Sequence, residues 1–266
     1  MKNITVCYLF TKFDKLNSFY QFLKNYKKFR PGLNHNLLIC YKLIDVDIIK
    51  IFEAKLKKIP HTKYLDTSPL NDYDFGSYYR VCKSYPNKRI FFLNAKSYPI
   101  KHNWLKIISK SYKNNSFVGT SASYESQLTS LKFKKFYKIF SFLIKFIHLK
   151  KRFNSFPNSH IRTSGFLINS NNFINFYKKK ICKNKLDAWS IESGKDSITN
   201  YFKSKKYPLF IVNSDGISFN EKDWKKSNTF NYQKQDKSII SDTHTRKYLK
   251  LNHHRRIISQ LNTWGE

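Results

Sequence analysis

Apolar runs of strand length alternate with helical stripes across residues 4–93, and this rhythm limits the folds open to the chain more than any other feature. Ile4 to Phe10 is an almost continuous apolar run. Leu16, Phe19, Tyr20, Leu23 and Tyr26 then recur at the spacing of one helix face, closed by Arg30-Pro-Gly32. Asn36 to Leu43 reads as a second strand, and Ile48, Ile49, Phe52, Leu56 and Ile59 mark a second helix that must stop before Pro60. Tyr64-Leu65 is a short third strand, Asp74 is expected to cap a helix through Tyr79 and Val81, and Arg89 leads the apolar Ile90 to Leu93. Strand, helix, strand, helix, strand in this order predicts an α/β fold with a mostly parallel sheet flanked by helices. Ligands of such sheets sit beyond the carboxyl ends of the strands.

Further along, Trp104 to Tyr112 reads as a helix, Phe117 to Thr120 as a strand and Gly165 to Ile168 as another. Helices are expected at 172–179 and 194–204, a strand at Leu209 to Asn213, and a final helix around His253 to Leu261 in an otherwise polar, irregular tail. No repeat or linker interrupts the 266 residues, so the expectation is one domain over 1–266 with an insert at 131–152. Cys7, Cys40, Cys82 and Cys182 are widely spaced, and Cys7, Cys40 and Cys82 lie in strand or helix patterns, which reads as reduced, buried thiols and not as a disulfide frame or zinc site. The first ten residues read as a strand with no small-residue cleavage site behind it. No apolar run approaches the roughly 20 residues of a membrane span. The expected location is the cytosol or a membrane surface.

A net charge of +33 suggests nucleic acid. Yet 42 of the 50 basic residues are Lys and only eight are Arg, and enrichment in Lys, Asn, Ile, Phe and Tyr together is what an A/T-rich coding sequence produces. Arg is the residue that grips phosphates in a fork. No helix-turn-helix, zinc module or RNP-type signature is present, so no specific nucleic acid is expected, and a basic nucleic-acid-binding protein is the competing class.

The insert is charged differently from the rest. In 131–152, Phe133, Phe136, Tyr137, Phe140, Leu143, Ile144 and Ile147 recur at helical spacing, with eight Lys or Arg and no acid. Phe142 and Phe146 widen the apolar face. A basic amphipathic helix of this kind suits an anionic bilayer surface.

Two motifs carry chemistry that folding alone does not require. Phe156-Pro-Asn-Ser-His-Ile-Arg-Thr-Ser-Gly-Phe-Leu-Ile168 sets His160, Arg162 and Thr163 at the mouth of a strand, and Ile191-Glu-Ser-Gly-Lys-Asp-Ser-Ile-Thr199 places Glu192 ahead of an expected helix. Ser193 to Asp196 has the spacing of a capping box that would fix its entrance. Acids are scarce: between Asp74 and Asp187 the only one is Glu125.

With Tyr73-Asp-Phe-Gly-Ser-Tyr78 and Phe91-Phe-Leu-Asn-Ala-Lys-Ser-Tyr-Pro99, the chain resembles bacterial GT-A-type glycosyltransferases of rhamnan-synthesis, O-antigen and capsule clusters. His160-Ile-Arg-Thr-Ser-Gly-Phe166, the segment from Glu192, and Ser241-Asp-Thr-His-Thr245 extend the resemblance in order over about nine-tenths of the chain. The resemblance implies a GT-A-like, Rossmann-like fold and hexosyl transfer from a nucleotide sugar to a glycan or lipid-linked acceptor in surface-polysaccharide or lipopolysaccharide assembly. It implies a cytoplasmic protein peripheral on the inner membrane.

It further implies Glu192 as the base for the acceptor hydroxyl. Asp74, Asn94, Lys96, Ser97, His160, Arg162, Thr163, Asp242 and His244 would contact donor or acceptor. The family normally holds Mg or Mn on an Asp-x-Asp motif; here that position reads Asn94-Ala-Lys-Ser97, with no carboxylate. Lys96 could neutralise a diphosphate as a point charge instead. An inactive, transferase-like scaffold is the third class that this departure leaves open.

Overall fold

The computed structural model describes residues 4–133, 137 and 139–265. Phe136 of the insert's apolar stripe, with Lys134, Lys135 and Lys138, lies outside the described residues.

The element order is β1 (Ile4–Thr11), α1 (Leu16–Lys28), β2 (Asn36–Lys42), α2 (Val46–Leu56), β3 (Thr62–Asp66), α3 (Tyr73–Ser84), β4 (Arg89–Leu93), β5 (Tyr98–Pro99), α4 (Trp104–Lys110), β6 (Phe117–Gly119) and β7 (Ala122–Ser123). After these come α5 (Ile139–Arg152), β8 (His160–Ile161), β9 (Gly165–Asn169), α6 (Ser170–Tyr177), α7 (Lys185–Ser193), α8 (Ile198–Ser204), β10 (Leu209–Val212), β11 (Ser218–Phe219), β12 (Ile240–Ser241), α9 (Thr243–Leu249) and α10 (His253–Trp264).

Eight strands form one sheet in the order β11-β10-β6-β9-β4-β1-β2-β3. The pairs β1/β2, β1/β4, β2/β3 and β6/β10 are parallel, while β9 runs antiparallel to both β4 and β6. This is the expected α/β architecture with a mostly parallel sheet and flanking helices. β1 shows why its sequence is apolar without alternation: Cys7 and Leu9 join one buried cluster, and Ile4, Val6, Tyr8 and Phe10 join the cluster on the opposite face. On that second face Tyr8 stacks on Phe22 of α1 at 3.7 Å, and Phe19 stacks on Phe52 of α2 at 3.9 Å. All four cysteines are free and buried.

Three expectations need correction. The helix foreseen at 194–204 is the shorter α8, and an unforeseen helix, α7, ends just before it at Gly194, where a Cβ would lie 2.5 Å from the Ser190 carbonyl and 2.9 Å from that of Arg152. The tail holds α9 as well as α10, and its irregular part is ordered by buried side-chain bonds, such as Gln235 Nε2 to the Thr245 carbonyl at 2.6 Å and Asn231 Nδ2 to Thr263 Oγ1 at 3.0 Å. Third, Asp72 and not Asp74 holds the N-cap position of α3. No helix among the described residues is long and apolar enough to cross a membrane.

Candidate active site

The carboxyl ends of β1 and β2, the turn after β4 and the first turn of α3 enclose a cavity of about 320 Å3, with Thr11, Asp14, Lys42, Tyr73, Asp74 and Lys96 in its wall. It lies where ligands of parallel sheets bind. Tyr73 opens α3 with φ of 54°, in the left-handed region. A bulky residue there costs roughly 1–3 kcal/mol and persists only where its neighbours over-determine it.

The neighbours are paired charges. The Asp72 carboxylate bonds no helix N–H; it accepts from Lys42 Nζ, and from Arg80 Nη1 at 2.6 Å. Arg80 reaches on to Asp66 with Nε at 2.6 Å and Nη2 at 2.7 Å, where Ser77 Oγ also donates at 2.5 Å. Burial alone would raise the Asp72 pKa, but the bonds from Arg80 and Lys42 outweigh it and hold the carboxyl below its usual range. Gly76 makes room for this, since a Cβ there would meet the Asp72 carboxyl at 1.9 Å.

Asp74, two residues on, makes no hydrogen bond or ion pair with another described residue and is partly open to the cavity. Its carboxyl is pushed up to about 7, first by burial and then by Asp14, with Glu192 adding to the shift against Lys96 and Lys42. Asp14 is itself tied back, accepting from the Thr11 N–H at 3.0 Å and the Thr11 hydroxyl at 2.7 Å.

The segment Asn94-Ala-Lys-Ser97 is a tight turn. Asn94 Oδ1 accepts from the Lys96 N–H at 3.2 Å and from Ser97 Oγ at 2.8 Å, and Tyr8 Oη donates to the Ala95 carbonyl at 3.0 Å. Asn94 and the buried Ser97 therefore hold the turn, and Lys96 is the exposed side chain that it presents. A hard divalent cation needs a shell of six or more oxygens, carboxylates among them. Here the Asn94 oxygen is used within its own turn, Asp14 is held by Thr11, an ammonium stands where a carboxylate would be needed, and Asp74 is left as the one unbonded carboxylate among the described residues of the wall. No cluster of three His, Cys, Asp or Glu forms among the described residues. The residues present do not fit a resident metal.

Glu192 lies in the last turn of α7, not ahead of a helix. No box joins Ser193 to Asp196: Ser193 Oγ donates to the Trp189 carbonyl at 3.1 Å, and α8 is capped by Ser197. The Thr163 N–H and hydroxyl both donate to Glu192 Oε1 at 2.8 Å. Oε2 has no partner among the described residues and is free to accept a proton.

His160 is buried beside this carboxylate. Its Nδ1 must donate to the Asn158 carbonyl at 2.8 Å, because a carbonyl only accepts. Burial lowers the His160 pKa against the pull of the Glu192 charge, so the ring is neutral near pH 7.

Arg162 turns away to pair with Asp242 at 2.8 Å, its guanidinium 3.7 Å from the centre of the Phe230 ring. Asp242 caps α9 through the Thr245 N–H at 2.8 Å. Burial would raise its pKa, but the Arg162 charge and that N–H bring it down to about 2. His244 is exposed on the first turn of α9.

Asp74, Lys96 and Glu192 are thus brought within electrostatic reach, with Thr163 and His160 behind Glu192. Arg162 and Asp242 balance each other beside them. Sequence reasoning missed Asp14, Lys42 and Tyr73. Their signal was position, since each stands within a few residues of a strand's carboxyl end or a helix start.

No family model matches the chain, and no curated protein matches its sequence. Among solved structures it is similar to the mannosyltransferase Ktr4p of S. cerevisiae, at 10% identity and a TM-score of 0.42 over 75% of this chain and 64% of that one. It is also similar to mannosyltransferase PcManGT from Pyrobaculum calidifontis, solved with GDP-Man and Mn2+, at 8% and 0.48 over 82% and 56%. A third is galactosyltransferase LgtC, solved with donor and acceptor sugar analogs, at 9% and 0.46 over 79% and 73%. The match thus spans less than two thirds of either mannosyltransferase. Likenesses this distant carry no argument about the chemistry of this chain.

Proposed function

We propose that this chain, folded as one domain over 1–266, is a glycosyltransferase that moves a hexose from a nucleotide-sugar donor to a hydroxyl of a lipid-linked or growing cell-surface glycan. The observation that supports it best is the carboxylate of Glu192, clasped on one oxygen by Thr163 and near enough for its charge to raise the pKa of Asp74, which lines the cavity at the carboxyl ends of a parallel sheet. In an inverting transfer the acceptor oxygen forms a bond to the anomeric carbon while the bond to the diphosphate oxygen breaks. The leaving diphosphate takes the electron pair, and the acceptor proton passes to Glu192 Oε2. Thr163 fixes the carboxylate, and the neutral His160 beside it adds no positive charge that would weaken the base.

A thermal-shift screen against nucleotide sugars, followed by turnover of those that bind, tests this reading. A ligand at about 100 times its Kd adds roughly 2.7 kcal/mol of stability, a readily measured rise in Tm. If no nucleotide sugar raises Tm or is consumed, the reading fails. Binding without turnover would make the chain a scaffold.

The acceptor side rests on α5. Only Leu149 of this helix is buried; Phe140, Leu143, Ile144 and Ile147 are exposed, and its basic residues have no acid among them. Its end is clamped to the segment that carries Glu192, by Arg152 Nη1 to Asp187 at 2.6 Å and by the Lys195 N–H to the Arg152 carbonyl at 2.8 Å. In this proposal α5 lies on the anionic inner membrane and sets Glu192 near lipid-borne acceptors. Replacing Lys132, Lys145, Lys150 and Lys151 with Gln removes roughly 1 kcal/mol each of surface attraction, and should release the protein from anionic vesicles. Unchanged sedimentation with those vesicles would refute it.

A further inference from the structure

We propose that a second cavity, between α1, the turn after β4 and α9, is a diphosphate site in which Lys15, Lys96 and Arg246 supply the positive charge that a divalent metal would otherwise bring. The cavity measures about 370 Å3, and Asn17, Ser18 and Tyr98 complete the part of its wall that concerns a ligand. No carboxylate lines it.

None of the three cations is in an ion pair with a described residue. Arg246 is held in place by neutral acceptors alone, the Lys96 carbonyl at 3.1 Å, Ser241 Oγ at 3.3 Å and Thr243 Oγ1 at 3.4 Å, with its guanidinium 4.8 Å from the centre of the Tyr98 ring. Its position is thus built without its charge being matched. β12 fixes the same arrangement, pairing with β5 directly after the turn. A guanidinium oriented by neutral partners keeps its charge and its remaining N–H groups for an incoming anion.

The first turn of α1 points the same way. This helix of 13 residues has no acid in its first turn and no side-chain cap at Lys15, and its opening residues line the cavity. The Ser18 N–H donates to the Lys15 carbonyl at 2.8 Å, but the uncapped N–H groups of Leu16 and Asn17 favour an anion, here beside three cations. Asp14 is the nearest acid in sequence, and Thr11 holds its carboxylate in the neighbouring cavity.

Lys96 belongs to both cavities. A ligand with its diphosphate at Lys15, Lys96 and Arg246 can therefore extend past Lys96 towards Asp74. When the sugar leaves, the diphosphate gains negative charge, and the three cations stabilise it without a proton or a metal. The inference rests on the nucleotide-sugar reading for its ligand, but the cradle can be tested without it.

The experiment is calorimetric titration of the intact protein with inorganic pyrophosphate, and separately with a panel of nucleoside diphosphates. Each is run in EDTA and again with Mn2+. Pyrophosphate is expected to bind in EDTA, with affinity falling at least tenfold in a Lys15→Gln, Lys96→Gln, Arg246→Gln protein and partly recovering when Arg246 is Lys instead. Lys15 and Lys96 are exposed, so the Lys15→Gln, Lys96→Gln protein keeps the test valid if changing Arg246 disturbs α9. Binding only with Mn2+, no binding in either condition, or equal binding by the variants would overturn the cradle. Pyrophosphate bound in EDTA with no nucleoside diphosphate competing would uphold the cradle and sink the nucleotide-sugar reading. Nucleoside diphosphates bound only through Mn2+ would do the reverse.

Discussion

Asp72 and Asp74 flank Tyr73 at the start of α3, and their surroundings could hardly differ more. Asp72 is gripped by Lys42 and Arg80, and Arg80 also holds Asp66, so two cations and two carboxylates close on themselves. Asp74 faces the cavity with no bonded partner, and its carboxyl rises to about 7. Paired charges set the backbone, including the left-handed Tyr73, while unpaired ones are left for a ligand. A protein can afford the second kind only where the first kind fixes the frame. Substitutions on the paired side should therefore cost stability, and those on the open side should cost function or shift its pH dependence.

The largest effect belongs to Glu192. Glu192→Gln keeps the shape and the Thr163 contacts but removes the proposed base, and turnover should fall roughly 10²–10⁴-fold. Donor affinity should stay near normal, because the proposed diphosphate site lies elsewhere, and Tm should not drop. Steady-state rates and donor titration on the same preparation separate the outcomes. Near-normal turnover would make Glu192 a structural residue, and lost affinity in a folded protein would make it a donor ligand.

Next is the paired side. Asp72→Ala leaves Lys42 buried opposite an empty position, and breaking a buried pair in this way costs about 3 kcal/mol or more. Gly76→Ala should act through the same network, since its methyl group would displace the Asp72 carboxylate. Denaturant unfolding measures both. A loss below about 1 kcal/mol for Asp72→Ala would mean that solvent screens the network, and the contrast with Asp74 would weaken.

How much of this could be read beforehand follows from what each residue's neighbours in sequence reveal. β1, β2 and β4 were legible because buried strands must be apolar whatever else they do, while the mostly exposed β3 showed only its Tyr64-Leu65 pair. α7 was not, because of its residues only Ile191 and Ser193 are buried, too few for a periodic stripe. α9 is seven residues long and fixed by its Asp242 cap and the buried Tyr248. Glu192 stood out because acids are rare around it. Lys42 did not, being one of 42 lysines, and only its 2% exposure marks it as different. Arg162 drew attention as a phosphate ligand, yet its Asp242 partner lies 80 positions away, beyond any local pattern.

The smallest effect is the most specific test of the contrast. A free Asp carboxyl titrates near pH 3.9, whereas that of Asp74 titrates at about 7 in the folded protein. Between about pH 4 and 7 the folded state thus binds a proton that the unfolded state has released, so this group's contribution to stability falls as pH rises through that window and is constant above it. Asp242 has the opposite sign. Its folded value of about 2 gives stability that is present above about pH 4 and lost as pH falls towards 2, so it is silent in the window that Asp74 occupies. Asp74→Asn removes the titrating group and leaves a side chain of the same shape. The Tm of the variant minus that of the parent should therefore be more positive at pH 8 than at pH 4.5, with most of the change between pH 5 and 7. A difference that stays constant across that range would mean that the Asp74 carboxylate is stabilised in the cavity as well as that of Asp72 is by its cations, and the two aspartates would no longer stand apart.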